Sequence, residues 1–198
     1  IGLRQSLDRH LPLSQPSLDW LILTHPESSP VAAFEALGRH ASPGILLGEA
    51  AGLEEEPAAL TVEVVRARAG TSLALGDGAR LEVIDPARGR TTLLVTYRSA
   101  AILVMESGTP SSEIHSAGSG ASAVILLGEG QIVAKSLRQA WVGLPPVALV
   151  AAPLPGDLFL NPQDGDASVV PVLATPFNGW VRLSTDGSRL EIRAERVP

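Results

Sequence analysis

Apolar positions along this chain change period several times, and each change predicts a new element. From Gly2 to His10 the chain carries Leu3, Leu7 and Leu11 at helical spacing with Arg and Asp between them, which predicts a short amphipathic helix ended by Pro12. Ser17 to Leu23 is a compact apolar run between turn signals and suits a buried strand leading into Thr24-His25-Pro26. Ser29 is placed to cap a helix with Pro30 at its first position, and Val31, Phe34 and Leu37 share a face before Gly38. Gly44 to Leu47 is a second short buried strand. Strand, helix and strand make a parallel α/β unit.

Glu54-Glu55-Glu56-Pro57 breaks the pattern, and antiparallel β structure is expected after it. Thr61, Glu63 and Arg66 alternate with Val62, Val64 and Val65, and a run from Leu73 to Leu75 meets one from Arg80 to Ile84 across Gly76-Asp77-Gly78 as a hairpin. Thr91 to Tyr97 and Ala101 to Met105 make another pair around Arg98-Ser99. Val124 to Leu127 reads as a buried strand, Ile132 to Trp141 as a helix and Val147 to Ala151 as a strand, a second parallel unit. Short strands over 168–173, 177–184 and 188–194 close the chain. The segment Asp77 to Val83 is echoed by Asp186 to Ile192; internal duplication and ordinary Asp-Gly hairpin chemistry both produce such an echo.

The chain has 198 residues, 45% of them hydrophobic, which is the size of one domain with a substantial core, and a single domain over 1–198 is expected. With 19 Gly, 16 Pro, three Trp, three Phe and one Tyr, the core must be built from Leu, Val, Ile and Ala between many turns. Fifteen Lys and Arg face 21 Asp and Glu for a net charge of −6, a field that repels polyanions and limits DNA to weak, salt-sensitive contact. Cysteine is absent, which removes thiolate metal sites and thiol catalysis. The apolar stretch from Ala140 to Leu154 is cut by Pro145, Pro146 and Pro153 and is too short to span a bilayer. A start at Ile1 with no basic leader reads as a piece of something longer.

Candidate chemistry is sparse. Of His10, His25, His40 and His115, only His25 falls at the carboxyl end of an expected buried strand, where open α/β sheets assemble their sites. A metal site needs three or more converging ligands, and the loop His25-Pro26-Glu27-Ser28-Ser29-Pro30 offers His25 and, more weakly, Glu27. The residues alone favour a strand-end histidine bonded to a backbone carbonyl over a ligand. Gly128-Glu129-Gly130 lacks the third glycine of a dinucleotide fingerprint, and Glu129 would repel phosphate. Ser119, in Gly118-Ser119-Gly120, does not sit in a nucleophile elbow. Arg189 and Arg193 alternate with Glu191 and Glu195, a solvated strand face of both signs.

The order of segments nevertheless resembles a known family. The opening helix followed by Leu18-Asp19-Trp20-Leu21-Ile22-Leu23-Thr24-His25-Pro26 is similar to the metallo-β-lactamase-like domain that ends the ComEC family of DNA-uptake channel proteins. The likeness continues through Gly76-Asp77-Gly78 to Ile84-Asp85-Pro86, the strands around Leu93 and Leu103, Pro145 to Ala151, and Thr175 to Glu191 with Asn178-Gly179-Trp180-Val181 and Thr185-Asp186-Gly187. The resemblance implies an αβ/βα sandwich of two mixed sheets with outer helices, an α+β or α/β fold. The family's first strands, which carry Asp-Val-Gly-Gln-Gly-Asp, would precede this chain.

The departures from the family pattern bear on function. Where metal-binding members end the loop after Thr-His-Pro with Asp-His, this chain has Ser29 and Pro30, and Glu27 stands at the second ligand position. The later bridging aspartate falls near Glu106-Ser107, and the expected His-His-Gly-Ser reads Gly128-Glu129-Gly130-Gln131. Of the ligand positions only His25 is intact. The resemblance then implies a non-catalytic, degenerate domain with no catalytic residues and no cofactor, serving a structural or partner-binding role in DNA import outside the cytoplasmic membrane. Its partners would be other regions of the parent membrane protein, DNA only weakly, and a second copy through an exposed sheet edge. The alternative is an active zinc- or manganese-dependent hydrolase or nuclease acting on DNA during uptake.

Overall fold

Most of the short apolar runs form strands in the computed structural model, which describes residues 18, 20–23, 44–47, 64–85, 91–106, 120–127, 148–151 and 172–196. The chain divides into two compact units, Ile1–Ala69 with Asp85–Thr91, and Gly70–Ile84 with Thr92–Pro198. The first holds β1 (Trp20–Leu23), β2 (Gly44–Leu47) and β3 (Val64–Arg66) in a three-stranded sheet. Both pairings are parallel, with Leu21 opposite Ile45 and Ile45 opposite Val64. The parallel pairing of β1 and β2 agrees with the α/β unit expected there. The antiparallel expectation for 61–66 is corrected, because Val64–Arg66 pairs parallel to β2. Antiparallel structure begins only at the following strand.

The second unit holds a seven-stranded mixed sheet whose spatial order follows the sequence from β4 to β10. β4 (Ser72–Gly76) and β5 (Ala79–Asp85) form the expected hairpin, with Asp77 at φ 51° and Gly78 at φ 83°. Two successive positive φ values are those of a type I′ turn, which matches the twist of the flanking strands and selects Asp-Gly. β6 (Thr92–Tyr97) and β7 (Ala100–Glu106) are antiparallel around Arg98-Ser99, also as expected. β8 (Ala123–Leu127), β9 (Ala148–Ala151) and β10 (Val172–Ala174) then continue the sheet in parallel from β7.

The core of this unit lies along β5, β7 and β8, where Leu81, Val83, Leu103, Met105, Val124 and Leu126 are essentially inaccessible to solvent. Leu103 pairs with Val124 and Met105 with Leu126, so two buried rows cross from β7 to β8. Ala123 and Val124 are buried in succession although their side chains point to opposite faces, so β8 is covered on both sides there. Each fully buried Leu, Val or Met contributes roughly 1.5–3 kcal/mol relative to leaving it exposed.

A helical turn, α1 (Thr175–Asn178), follows β10, and β11 (Val181–Thr185) pairs antiparallel with β12 (Leu190–Ala194) as a separate two-stranded sheet. The expected strand over 177–184 therefore begins later, at Val181. Pro176 suits a first helical turn, and Gly179 at φ 69° ends it by donating its amide to the Thr175 carbonyl at 3.0 Å. The echo of Asp77-Gly78 at Asp186-Gly187 occupies a different turn. Four residues, Asp186 to Arg189, connect β11 to β12, and of these only Gly187 has a positive φ. The expected helices at 2–10, 29–38 and 132–141 lie outside the described residues. A seven-stranded mixed sheet agrees with the expected class, whereas the described three-stranded sheet is wholly parallel.

Candidate functional site

Strand direction decides where chemistry can gather, since open α/β sheets bind their ligands beyond the carboxyl ends of parallel strands. In the first unit that edge is formed by Leu23, Leu47 and Arg66, the last residues of β1, β2 and β3. His25 follows β1 two residues later in sequence; His25 and Glu27 both lie outside the described residues. So do His10, His40, His115, Ser29, Pro30, Ser119 and Gly128 to Gln131.

In the second unit β7, β8, β9 and β10 run the same way, and their carboxyl edge carries Glu106, Leu127, Ala151 and Ala174. Glu106 is the one ionisable group among these four. It is buried, 7% exposed, and pairs in register with Leu127 at the end of β8. A carboxylate ending an apolar strand has the chemistry of a ligand or a general base, and this is the position near which the family's bridging aspartate was expected. One carboxylate does not make a metal centre, and the described residues contain no cluster of three or more His, Cys, Asp or Glu able to hold a metal ion.

The best-organised polar group in the described structure sits elsewhere, at the tip of the β11–β12 hairpin. Asp186 Oδ1 accepts from the Ser188 amide, the Ser188 hydroxyl and the Arg189 amide, each at 2.8 Å. Thr185 Oγ1 accepts from the Gly187 amide at 2.9 Å and donates to the Arg189 carbonyl at 2.7 Å. The Ser188 amide, then the Arg189 amide, then the Ser188 hydroxyl stabilise the charged carboxylate and lower the Asp186 pKa to about 2.

This tip rests on the β6–β7 turn. The Ser99 amide donates to the Gly187 carbonyl at 3.0 Å, the Ser99 hydroxyl donates to the same oxygen, and Arg98 Nη1 donates to the Asp186 carbonyl at 2.9 Å. The Arg98 guanidinium also lies 5.1 Å from the centre of the Tyr97 ring, within cation–π range. In sequence Arg98-Ser99 is a turn, and Asp186-Gly187 is a hairpin echo and part of the resemblance, and period analysis carries no signal that the two meet. On the outer face of the hairpin, Arg193 donates through Nε and Nη2 to Glu191 Oε1, at 2.9 and 2.7 Å, while Arg182 stands directly opposite Arg193. Both signs are exposed there, as expected for a solvated strand face.

Among solved structures, the chain is similar to the metallo-beta-lactamase fold protein YhfI from Bacillus subtilis, at 14% sequence identity. The match covers 76% of this chain and 71% of that one, with a TM-score of 0.48. No family model matches the chain, and no curated protein does.

Proposed function

We propose that this chain is a degenerate metallo-β-lactamase-like domain with a structural or partner-binding role in a membrane protein that imports DNA. The observation that carries the reading is the donor set. Along the ordered series of segments from the opening helix and Leu18 to Glu191, the positions that should hold metal read Glu27, Ser29, Pro30, Glu106-Ser107 and Gly128 to Gln131, with His25 alone intact. Zinc or manganese poised for hydrolysis needs three or more N, O or S ligands and an open place for water. These residues do not fit that requirement, so no hydrolytic step is derived through a metal. The mixed sheet running from β4 to β10 is compatible with the proposed fold. The partners under this reading are other regions of the parent protein, and the domain sits on the extracytoplasmic side of the membrane. With net charge −6, contact with DNA is weak and strongly salt-dependent.

The second reading, an active metal-dependent hydrolase or nuclease, is favoured by one feature, the buried Glu106 at the carboxyl edge of the parallel strands. Incubating the protein with single- and double-stranded DNA and with a phosphodiester model substrate, in zinc, manganese or magnesium, separates the two. The proposed reading expects no cleavage above background. Metal-dependent cleavage that disappears in both His25→Ala and Glu106→Gln would establish the hydrolase instead.

A further inference from the structure

The C-terminal hairpin is held to the rest of its unit in an unusual way. Among the described residues β11 and β12 pair only with each other and add no strand to the seven-stranded sheet. An isolated two-stranded hairpin is marginal in water, so its persistence depends on docking. Its side chains alternate accordingly: Leu190, Ile192 and Ala194 are half-buried, while Glu191 and Arg193 are exposed.

The base of the hairpin is bonded to itself and its tip to the sheet. At the base, Asn178 Nδ2 donates to the Arg196 carbonyl at 3.1 Å, the Arg196 amide to the Asn178 carbonyl at 3.0 Å, and the Glu195 amide to the Trp180 carbonyl at 3.0 Å. These bonds join segments that flank the hairpin and close its own stem. At the tip, the hydrogen bonds to the sheet run from Arg98 and Ser99 to the carbonyls of Asp186 and Gly187.

The two surfaces at the tip are fitted to each other. Gly187 is buried at φ 91°, and a Cβ there would stand 2.7 Å from Arg98 Cβ and 2.9 Å from Cγ. Contacts that close require something to shift, so the absent side chain is what lets the Arg98 stem seat. Arg98 in turn adopts φ 54°, a conformation that a non-glycine residue keeps only when its surroundings over-determine it. Here the Tyr97 ring and the Asp186 carbonyl hold it.

We propose that β11–β12 is a separately opening unit hinged at Asn178–Arg196, and that the Arg98–Ser99 turn is the catch that keeps it closed. Release of the catch removes the docking on which this two-stranded pair depends, so β11 and β12 part and their amides exchange. This device is independent of the metal question.

Native-state hydrogen exchange on the full chain tests it, with Arg98→Ala and Gly187→Ala as variants. In Arg98→Ala the Ser99 amide and the amides of β11 and β12 are expected to exchange about tenfold faster, the size of losing one charge-assisted hydrogen bond, while those of β7 and β8 keep their rates. Gly187→Ala should show the same pattern more strongly. Equal acceleration of hairpin, β7 and β8 amides would mean that the hairpin opens only by global unfolding, and would overturn the proposal. Unchanged hairpin rates in Arg98→Ala would overturn it as well, and that variant decides alone if Gly187→Ala does not fold.

Discussion

Three donors converge on one oxygen of Asp186, and their effect can be read directly in a titration. The carboxyl group is exposed, so burial contributes little against the charged form, and the Ser188 and Arg189 amides dominate in lowering its pKa to about 2. An unfolded Asp titrates near 3.9, a folded-state pKa below the unfolded one. The contribution of Asp186 to stability is therefore fully present above about pH 4 and is lost as pH falls through about 2. The midpoint of the Asp186 carboxyl resonance is expected at about 2, and it should move up toward the ordinary Asp value in Ser188→Gly, which removes the hydroxyl donor. An unshifted midpoint in the native protein would show that the loop does not form as described. Glu106 teaches a different lesson at the same scale. In sequence it is the polar residue that ends the run Ala101 to Met105, and only the fold reveals that it is buried at a carboxyl edge.

Strands carry most of what the sequence makes legible. β2 coincides with the run Gly44 to Leu47, and the turns at Asp77-Gly78 and Arg98-Ser99 fall where alternation and turn residues place them. Direction was legible where a turn too short for a crossover forces antiparallel pairing, as between β6 and β7. It was not legible for β3, whose three residues, Val64, Val65 and Arg66, have no hairpin to orient them. The strand expected over 177–184 starts at Val181 instead, because Pro176 and Gly179 punctuate a helical turn before it. Burial then separates strands that are equally apolar in sequence. Leu103→Ala, at a fully buried position of β7, is expected to lower stability by about 2–5 kcal/mol in urea unfolding. Leu75→Ala on the outermost strand β4, where the side chain is 38% exposed, should cost less than about 1 kcal/mol. Equal losses at the two positions would contradict the core assigned to β5, β7 and β8.

At the scale of the whole molecule, the proposed loss of a metal site rests on residue identities, because the proposed ligand positions other than Glu106 lie outside the described residues. A metal centre is a property of residues brought together from several strand ends, and residue identities alone can veto it when too few of them ligate. Under the proposed reading, serine and proline at positions 29 and 30, and Gly128-Glu129-Gly130-Gln131 after β8, would exert that veto, and His25 would be a trace of the pattern. What the identities could not reveal was the tertiary coupling of segments 88 residues apart at Ser99 and Gly187, because neither element's own periodicity depends on the other. The claim that the chain has lost its metal chemistry meets its most direct test in the metal content of the purified protein, measured by elemental analysis after saturation with zinc or manganese and exhaustive dialysis. The account predicts no stoichiometric metal and no difference between the native chain and His25→Ala. One or two retained equivalents that vanish in His25→Ala would contradict it.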